Sequence, residues 1–173
     1  QHGFIDDVRI YNRALSASEI SALAAGNPAT GSGKLLLANN LDINGSLGIY
    51  GSKLDVSASN YSVNIAGNVQ NSGDFVKRSG TVTLDGTSAQ TVSGSTLWNN
   101  LSKTVLAAQT LFLDYTSRQS ASGALTLRGA VSNLLSLRST RSGSGARLLL
   151  DGDSGTQTLD YLNVKDSNAT GGQ

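Results

Sequence analysis

Ser79-Gly80-Thr81-Val82-Thr83-Leu84-Asp85-Gly86 returns further along the chain as Ser122-Gly123-Ala124-Leu125-Thr126-Leu127-Arg128-Gly129. Each copy reads as one short strand, with two apolar side chains two positions apart, a polar one between them and glycine on both flanks. The signature recurs in the pairs Leu35/Leu37, Leu41/Ile43, Leu47/Ile49, Leu54/Val56, Val63/Ile65, Leu111/Leu113, Leu135/Leu137, Leu148/Leu150 and Leu162/Val164. Three-residue strands are too short for an ordinary sandwich, whose strands run to about five or six residues. They suit a solenoid, in which stacked turns supply the core. The offset between the two copies is close to two turns of about 21 to 22 residues each. Leu41 to Val63, and then Val63 to Val82, each step by close to one such turn. A looser third copy, Ser144-Gly145-Ala146-Arg147-Leu148-Leu149-Leu150-Asp151-Gly152, begins one more turn's spacing after the second. The expected fold is all-β: a right-handed parallel β-helix over residues 34–173, its paired residues stacked in aliphatic columns. Leu36 and Leu149, the middle residues of their strands, are expected to face outward.

Residues 1–33 have a different pattern. Phe4 to Tyr11 reads as a strand with Phe4, Val8 and Ile10 on one face and Ile5, Arg9 and Tyr11 on the other. Ser16-Ala17-Ser18-Glu19 is a capping box that predicts a short helix, with Ile20, Leu23 and Ala24 on one side and Gly26 then Pro28 as stop signals. Gly31-Ser32-Gly33 reads as a flexible linker. The expected organisation is thus a detached strand over 1–15, a capped helix and linker over 16–33, and the β-helix from 34.

Composition narrows the chemistry. Charged residues make up 14% of the 173, where roughly 25% is ordinary. Ser (25), Thr (14) and Asn (14) instead supply a hydroxyl and amide surface. A net charge of +1 gives no electrostatic case for nucleic acid. No apolar run approaches the roughly 18 residues of a spanning helix, so membrane insertion is not expected. With no Cys and a single His at position 2, thiolate and histidine metal sites and an internal Ser-His-Asp triad are ruled out, and no cofactor is expected. The start at Gln1 without Met reads as the processed or excised part of something longer.

Two stretches resemble known families. Gly3-Phe4-Ile5-Asp6-Asp7-Val8-Arg9-Ile10-Tyr11-Asn12-Arg13-Ala14-Leu15-Ser16, with its Ser-x-x-Glu helix start, resembles the last strand of laminin-G-like, concanavalin-type jelly-roll domains of bacterial surface proteins. The match is confined to that strand and helix start and carries over no binding residue. From about residue 40 onward, phrases such as Thr81-Val82-Thr83-Leu84-Asp85-Gly86-Thr87 and Leu159-Asp160-Tyr161-Leu162-Asn163-Val164 look like the β-helical repeat regions of large secreted bacterial proteins. That resemblance implies a stalk, adhesin shaft or matrix component at the cell surface or outside the cell, with no shared catalytic motif.

A few features bear on chemistry. β-Helical lyases cluster acidic residues near a cation on one face, which draws attention to Asp55, Asp74, Asp85, Lys77 and Arg78, with Asp55 and Asp74 spaced to stack on successive turns. Their simpler reading is as strand ends and turn residues. Asp151 and Asp153 sit at calcium-loop spacing but lack the closing Glu. Between Asp114 and Asp151 there is no acidic residue, while Arg118, Arg128, Arg138, Arg141 and Arg147 all occur. Alternation turns Arg128 and Arg138 outward. Arg118, Arg128 and Arg138 are therefore the candidates for holding an acidic polysaccharide or a partner's carboxylates. Asn39-Asn40 and Asn99-Asn100 read as turn residues.

The sequence thus points to a non-enzymatic structural subunit of an extracellular bacterial assembly, a homo-oligomer or homopolymer. Open strand edges at the ends of a β-helix invite strand addition. The expected donor is the N-terminal strand, through Phe4, Ile5, Val8, Ile10 and Tyr11. The alternatives are a carbohydrate-binding module or a β-helical polysaccharide lyase or hydrolase.

Overall fold

A computed structural model of the chain describes residues 8–10, 17, 20–21, 33–150 and 155–168. Strands β1 (Val8–Ile10) and β2 (Lys34–Leu36) precede the first full turn, β3 (Leu41–Ile43) and β4 (Leu47–Asp55). The second turn is β5 (Val63–Ile65) and β6 (Val69–Val76). The third is β7 (Thr81–Leu84), β8 (Gln90–Ser93) and β9 (Thr96–Trp98), and the fourth is β10 (Asn100–Thr104), β11 (Gln109–Leu113) and β12 (Arg118–Ala121). The fifth is β13 (Ala124–Arg128), β14 (Leu135–Ser139) and β15 (Ala146–Leu150). The sixth is β16 (Thr156–Asp160), β17 (Leu162–Val164) and β18 (Ser167–Asn168). Every strand pairs in parallel with its counterpart one turn away, building sheets of eight, six and four strands. The chain is a parallel β-helix of about six turns.

The ladders show why the repeat reads as it does. In the six-stranded sheet Leu41 pairs with Val63, Val63 with Val82, Val82 with Leu101 and Leu101 with Leu125. The Thr81-Val82-Thr83-Leu84 strand and its copy at Ala124–Arg128 are therefore two turns apart in one sheet. The third copy behaves differently. Ala146–Leu150 lies in the four-stranded sheet, against Arg118–Ala121 of the turn before. Its apolar pattern matches because all three sheets point alternate residues inward. Turns also lengthen toward the C-terminus, since Val63 finds its partner at Val82 but Leu125 must reach as far as Gln157.

Most of the expected pairs form the core. Ile43, Leu47, Ile49, Leu54, Val63, Ile65, Val82, Leu84, Leu111, Leu113, Leu127 and Leu135 are almost wholly inaccessible. Leu35, Leu41, Leu148 and Leu162 are only partly covered, and Val164 is exposed. Leu36 faces outward as expected, but Leu149 is buried. Trp98, Leu101, Val69 and Val92, outside the expected pairs, join the core. Ala17, Ile20 and Ser21 lie in a helical stretch where the Ser21 hydroxyl donates to the Ala17 carbonyl, and Ile20 is exposed. The rest of the expected helix and the linker through Ser32 lie outside the described residues.

Asparagine side chains stitch the corners. Asn40 Oδ1 accepts from the Ser62 amide, Asn60 Oδ1 from Ser79, Asn68 Oδ1 from Thr91 and Asn100 Oδ1 from Ala124, each one turn further along. These bonds give partners to backbone amides at or just before the starts of strands, two of them, Thr91 and Ala124, within β8 and β13. The amide-rich composition is thus a requirement of the turns.

At Gly94 the backbone has φ +79°, and a Cβ there would overlap the Asn71 carbonyl oxygen of the turn below. Gly143 has nearly the same φ, +77°, with nothing within 4 Å. Alanine at Gly143 should cost about 1 to 2 kcal/mol from left-handed backbone alone. Alanine at Gly94 should cost clearly more in denaturant titrations, because turns three and two must separate to admit it. Equal costs would mean that the turns are not in this close contact.

Candidate functional site

The most developed polar cluster surrounds Asp55, at the end of β4. Its carboxylate is buried and takes a forked contact from Arg78, with Nε 2.7 Å from Oδ1 and Nη2 3.0 Å from Oδ2. Lys34 Nζ lies 3.2 Å from Oδ2, and the Ser57 amide donates to Oδ1. Three successive passes of the chain thus meet on one carboxylate. Ser57 (φ 62°) and Arg78 (φ 41°) both hold left-handed backbone, a local cost borne by the cluster. The Arg78 guanidinium, working against burial and aided by the Ser57 amide and Lys34, holds Asp55 far below the usual carboxylate range. With both oxygens engaged, Asp55 is a clamp between turns.

The arrangement expected of a lyase does not form. In the ladder Lys53 stands opposite Asp74 and Asp55 opposite Val76, so the two aspartates do not stack. Asp74 is exposed and paired with Lys53 at 2.8 Å. It borders an open groove of about 550 Å³ lined by Gly33, Lys34, Gly51, Ser52, Lys53, Ser72, Gly73 and Asp74, a lining without an aromatic ring. The Lys77 ammonium donates to the Arg78 carbonyl. Asp85 belongs to a different corner, where burial, with Asp42 adding its charge, raises its carboxyl above the ordinary range. Asp151 and Asp153 lie outside the described residues.

The arginines separate in the same way. Arg118 is on the four-stranded sheet, Arg128 on the six-stranded and Arg138 on the eight-stranded, so the expected basic flank is divided among three faces. Arg128 is paired with Asp160 at 3.0 Å, and Arg138 donates to the carbonyls of Leu137 and Asn163. Arg141 lies over the Tyr115 ring, 5.3 Å from its centre. Arg118 and Arg147 do fall together, as ladder partners on the four-stranded sheet. Beside Arg118 is a small cleft of about 230 Å³ formed with Ser95, Thr96, Leu97 and Ser120.

A second buried cluster has no counterpart in the sequence reading. Lys103 takes an inward position on β10, opposite Leu127 in the next turn, and is inaccessible to solvent. Its Nζ donates to the carbonyls of Leu84 (3.4 Å) and Gly86 (3.3 Å) and to Gln90 Oε1 (2.5 Å). Gln90, also buried, donates from Nε2 to the Ile65 and Gly67 carbonyls of the turn below. Burial pushes the Lys103 amine down to about 8, against the pull of Asp85.

The N-terminal strand does not stand apart. Val8, Arg9 and Ile10 pair in parallel with Leu47, Gly48 and Ile49 of the chain's own β4, as an edge strand of the eight-stranded sheet. The cause is the edge of β4, which offers backbone partners close at hand. Phe4, Ile5 and Tyr11 lie outside the described residues. At the other end β16, β17 and β18 each have a partner on one side only among the described residues. There Leu159, Tyr161 and Val164 are 44%, 49% and 52% exposed, although Leu159 pairs with Leu127 and Val164 with Leu137 of the turn before.

No known protein family, curated protein or solved structure matches the chain.

Asp55→Asn removes the charge that three passes of chain share. It should cost about 3 kcal/mol at pH 7, toward the low end for a broken buried pair because the Lys34 and Arg78 side chains stay about half in water. Because the folded carboxyl titrates below its unfolded value, its contribution is full above the unfolded pKa and fades as pH falls from about 4. Urea titrations of both proteins across pH 2 to 7 should show the gap closing only on the acid side. A gap independent of pH would contradict the clamp.

Proposed function

We propose that the protein is a structural segment of an extracellular bacterial assembly, a stiff β-helical shaft unit that associates end to end with copies of itself. The observation that carries this reading is the sixth turn. Its three strands present unpaired edges among the described residues, and Leu159 and Val164, which continue the ladders of the buried Leu127 and Leu137, stand exposed. A further turn of β-helix laid against these strands would bury both and pair the edges, and in the proposed assembly a second copy supplies it. Contact between the two unlike ends of one molecule is heterologous, and such contacts propagate into filaments unless they close into a ring. The resemblance to secreted β-helical repeat regions supports this reading, as does the laminin-G-like phrase at residues 3–16. Because β1 pairs within its own chain, donation of that strand to a neighbour requires its release, and the sixth turn is the more accessible contact.

The purified chain should form elongated particles in electron micrographs and grow with concentration by light scattering. The double variant Leu159→Lys, Val164→Lys should reduce it to monomer without changing its β-sheet circular dichroism. A wild-type chain that stays monomeric at every concentration contradicts the proposal. Saturable binding of a glycan by that monomer would favour the binding module instead, and turnover of a polysaccharide the enzyme.

A further inference from the structure

Lys103 stands in an aliphatic ladder, in line with Leu127 and Leu159. A buried ammonium there must offset the cost of leaving water through its hydrogen bonds, a cost that leucine does not carry. The lysine also lies against a carboxamide that is shielded from water and fixed in place. We propose that Lys103 and Gln90 become joined by an intramolecular amide cross-link, formed when the Lys103 amine attacks the Gln90 side-chain carboxamide and ammonia leaves.

The geometry supplies proximity. With Nζ 2.5 Å from Oε1 and a C=O bond of about 1.2 Å, Nζ is no more than about 3.7 Å from Cδ, close to the separation of about 3 to 3.5 Å from which attack proceeds. The Ile65 and Gly67 carbonyls, both accepting from Nε2, hold the carboxamide plane. Gln90 and Lys103 are both closed to water, which protects the intermediate from hydrolysis. An amine held near 8 keeps about one molecule in ten as the free base at pH 7, the form that attacks. Asp85 acts on Lys103 through its charge, against the effect of burial.

The reaction balances without oxidant or cofactor. The Nζ–Cδ bond forms and the Cδ–Nε2 bond breaks. One proton of the neutral amine passes to the departing nitrogen, which leaves as ammonia, and the product is a neutral secondary amide. The bond ties β8 of the third turn to β10 of the fourth and removes a buried charge.

The test is the intact mass of the purified chain after incubation at pH 8, followed by peptide mapping. The expected result is a mass lower by one ammonia, with the peptides holding Gln90 and Lys103 joined and no tryptic cut after Lys103. Lys103→Arg and Gln90→Leu should both lose the linked peptide. Succinimide formation at Asn44-Gly45 also releases ammonia, so the map decides where any deficit lies. A wild-type chain with separate Gln90 and Lys103 peptides overturns the proposal, whatever its total mass, and leaves Lys103 as a buried amine titrating near 8.

Discussion

In a chain wound into parallel turns, the strand hydrogen bonds run to the turn before or after, so each residue's direction is set by a partner a whole turn away in sequence. Everything else in this protein depends on that register. When Val63 sits on Val82 and Val82 on Leu101, the side chains between them face outward together and the aliphatic columns close. A slip of one residue would turn a whole strand inside out. The close approach at Gly94, the forked contact at Asp55 and the asparagine stitches each join one turn to another, and each holds the register at a corner where the ladders stop.

Much of this was legible because inward positions are mostly aliphatic and the strands are short. Inward positions that are polar escaped notice. Leu101/Lys103, Val69/Asn71 and Gln90/Val92 are inward pairs with one hydrophilic member, so three strands gave no apolar signal. Asn71 is satisfied through its amide to Thr96 and its oxygen to the Gly73 amide, while Gln90 and Lys103 satisfy each other and nearby carbonyls. Such partners lie in other turns, and sequence spacing does not announce them. The placement of Ala146–Leu150 was missed for a related reason, since a three-sided coil gives all of its sheets the same alternation.

Charge was harder to read than hydrophobicity. A stretch without acidic residues looks like one basic surface on paper, but the chain turns a corner every few residues and distributes Arg118, Arg128 and Arg138 over three faces. Asp55 and Asp74 are 19 residues apart, but the ladder here steps by 21 to 22, which sets Asp74 opposite Lys53 and Asp55 opposite Val76. A difference of two residues in turn length therefore decides which charges meet. At the sixth turn, ladders that are buried at Leu127 and Leu137 come to the surface at Leu159 and Val164.

The parallel register of neighbouring turns is tested most directly by the set of nuclear Overhauser contacts around Ser102. The structure places Ser102 between Thr83 and Thr126, in parallel, in adjacent turns. Backbone contacts from Ser102 to both neighbourhoods, with no close Hα–Hα pairs of the antiparallel kind, are the predicted result. Short Hα–Hα contacts between consecutive strands such as Thr81–Leu84 and Gln90–Ser93, the mark of a hairpin, would contradict it.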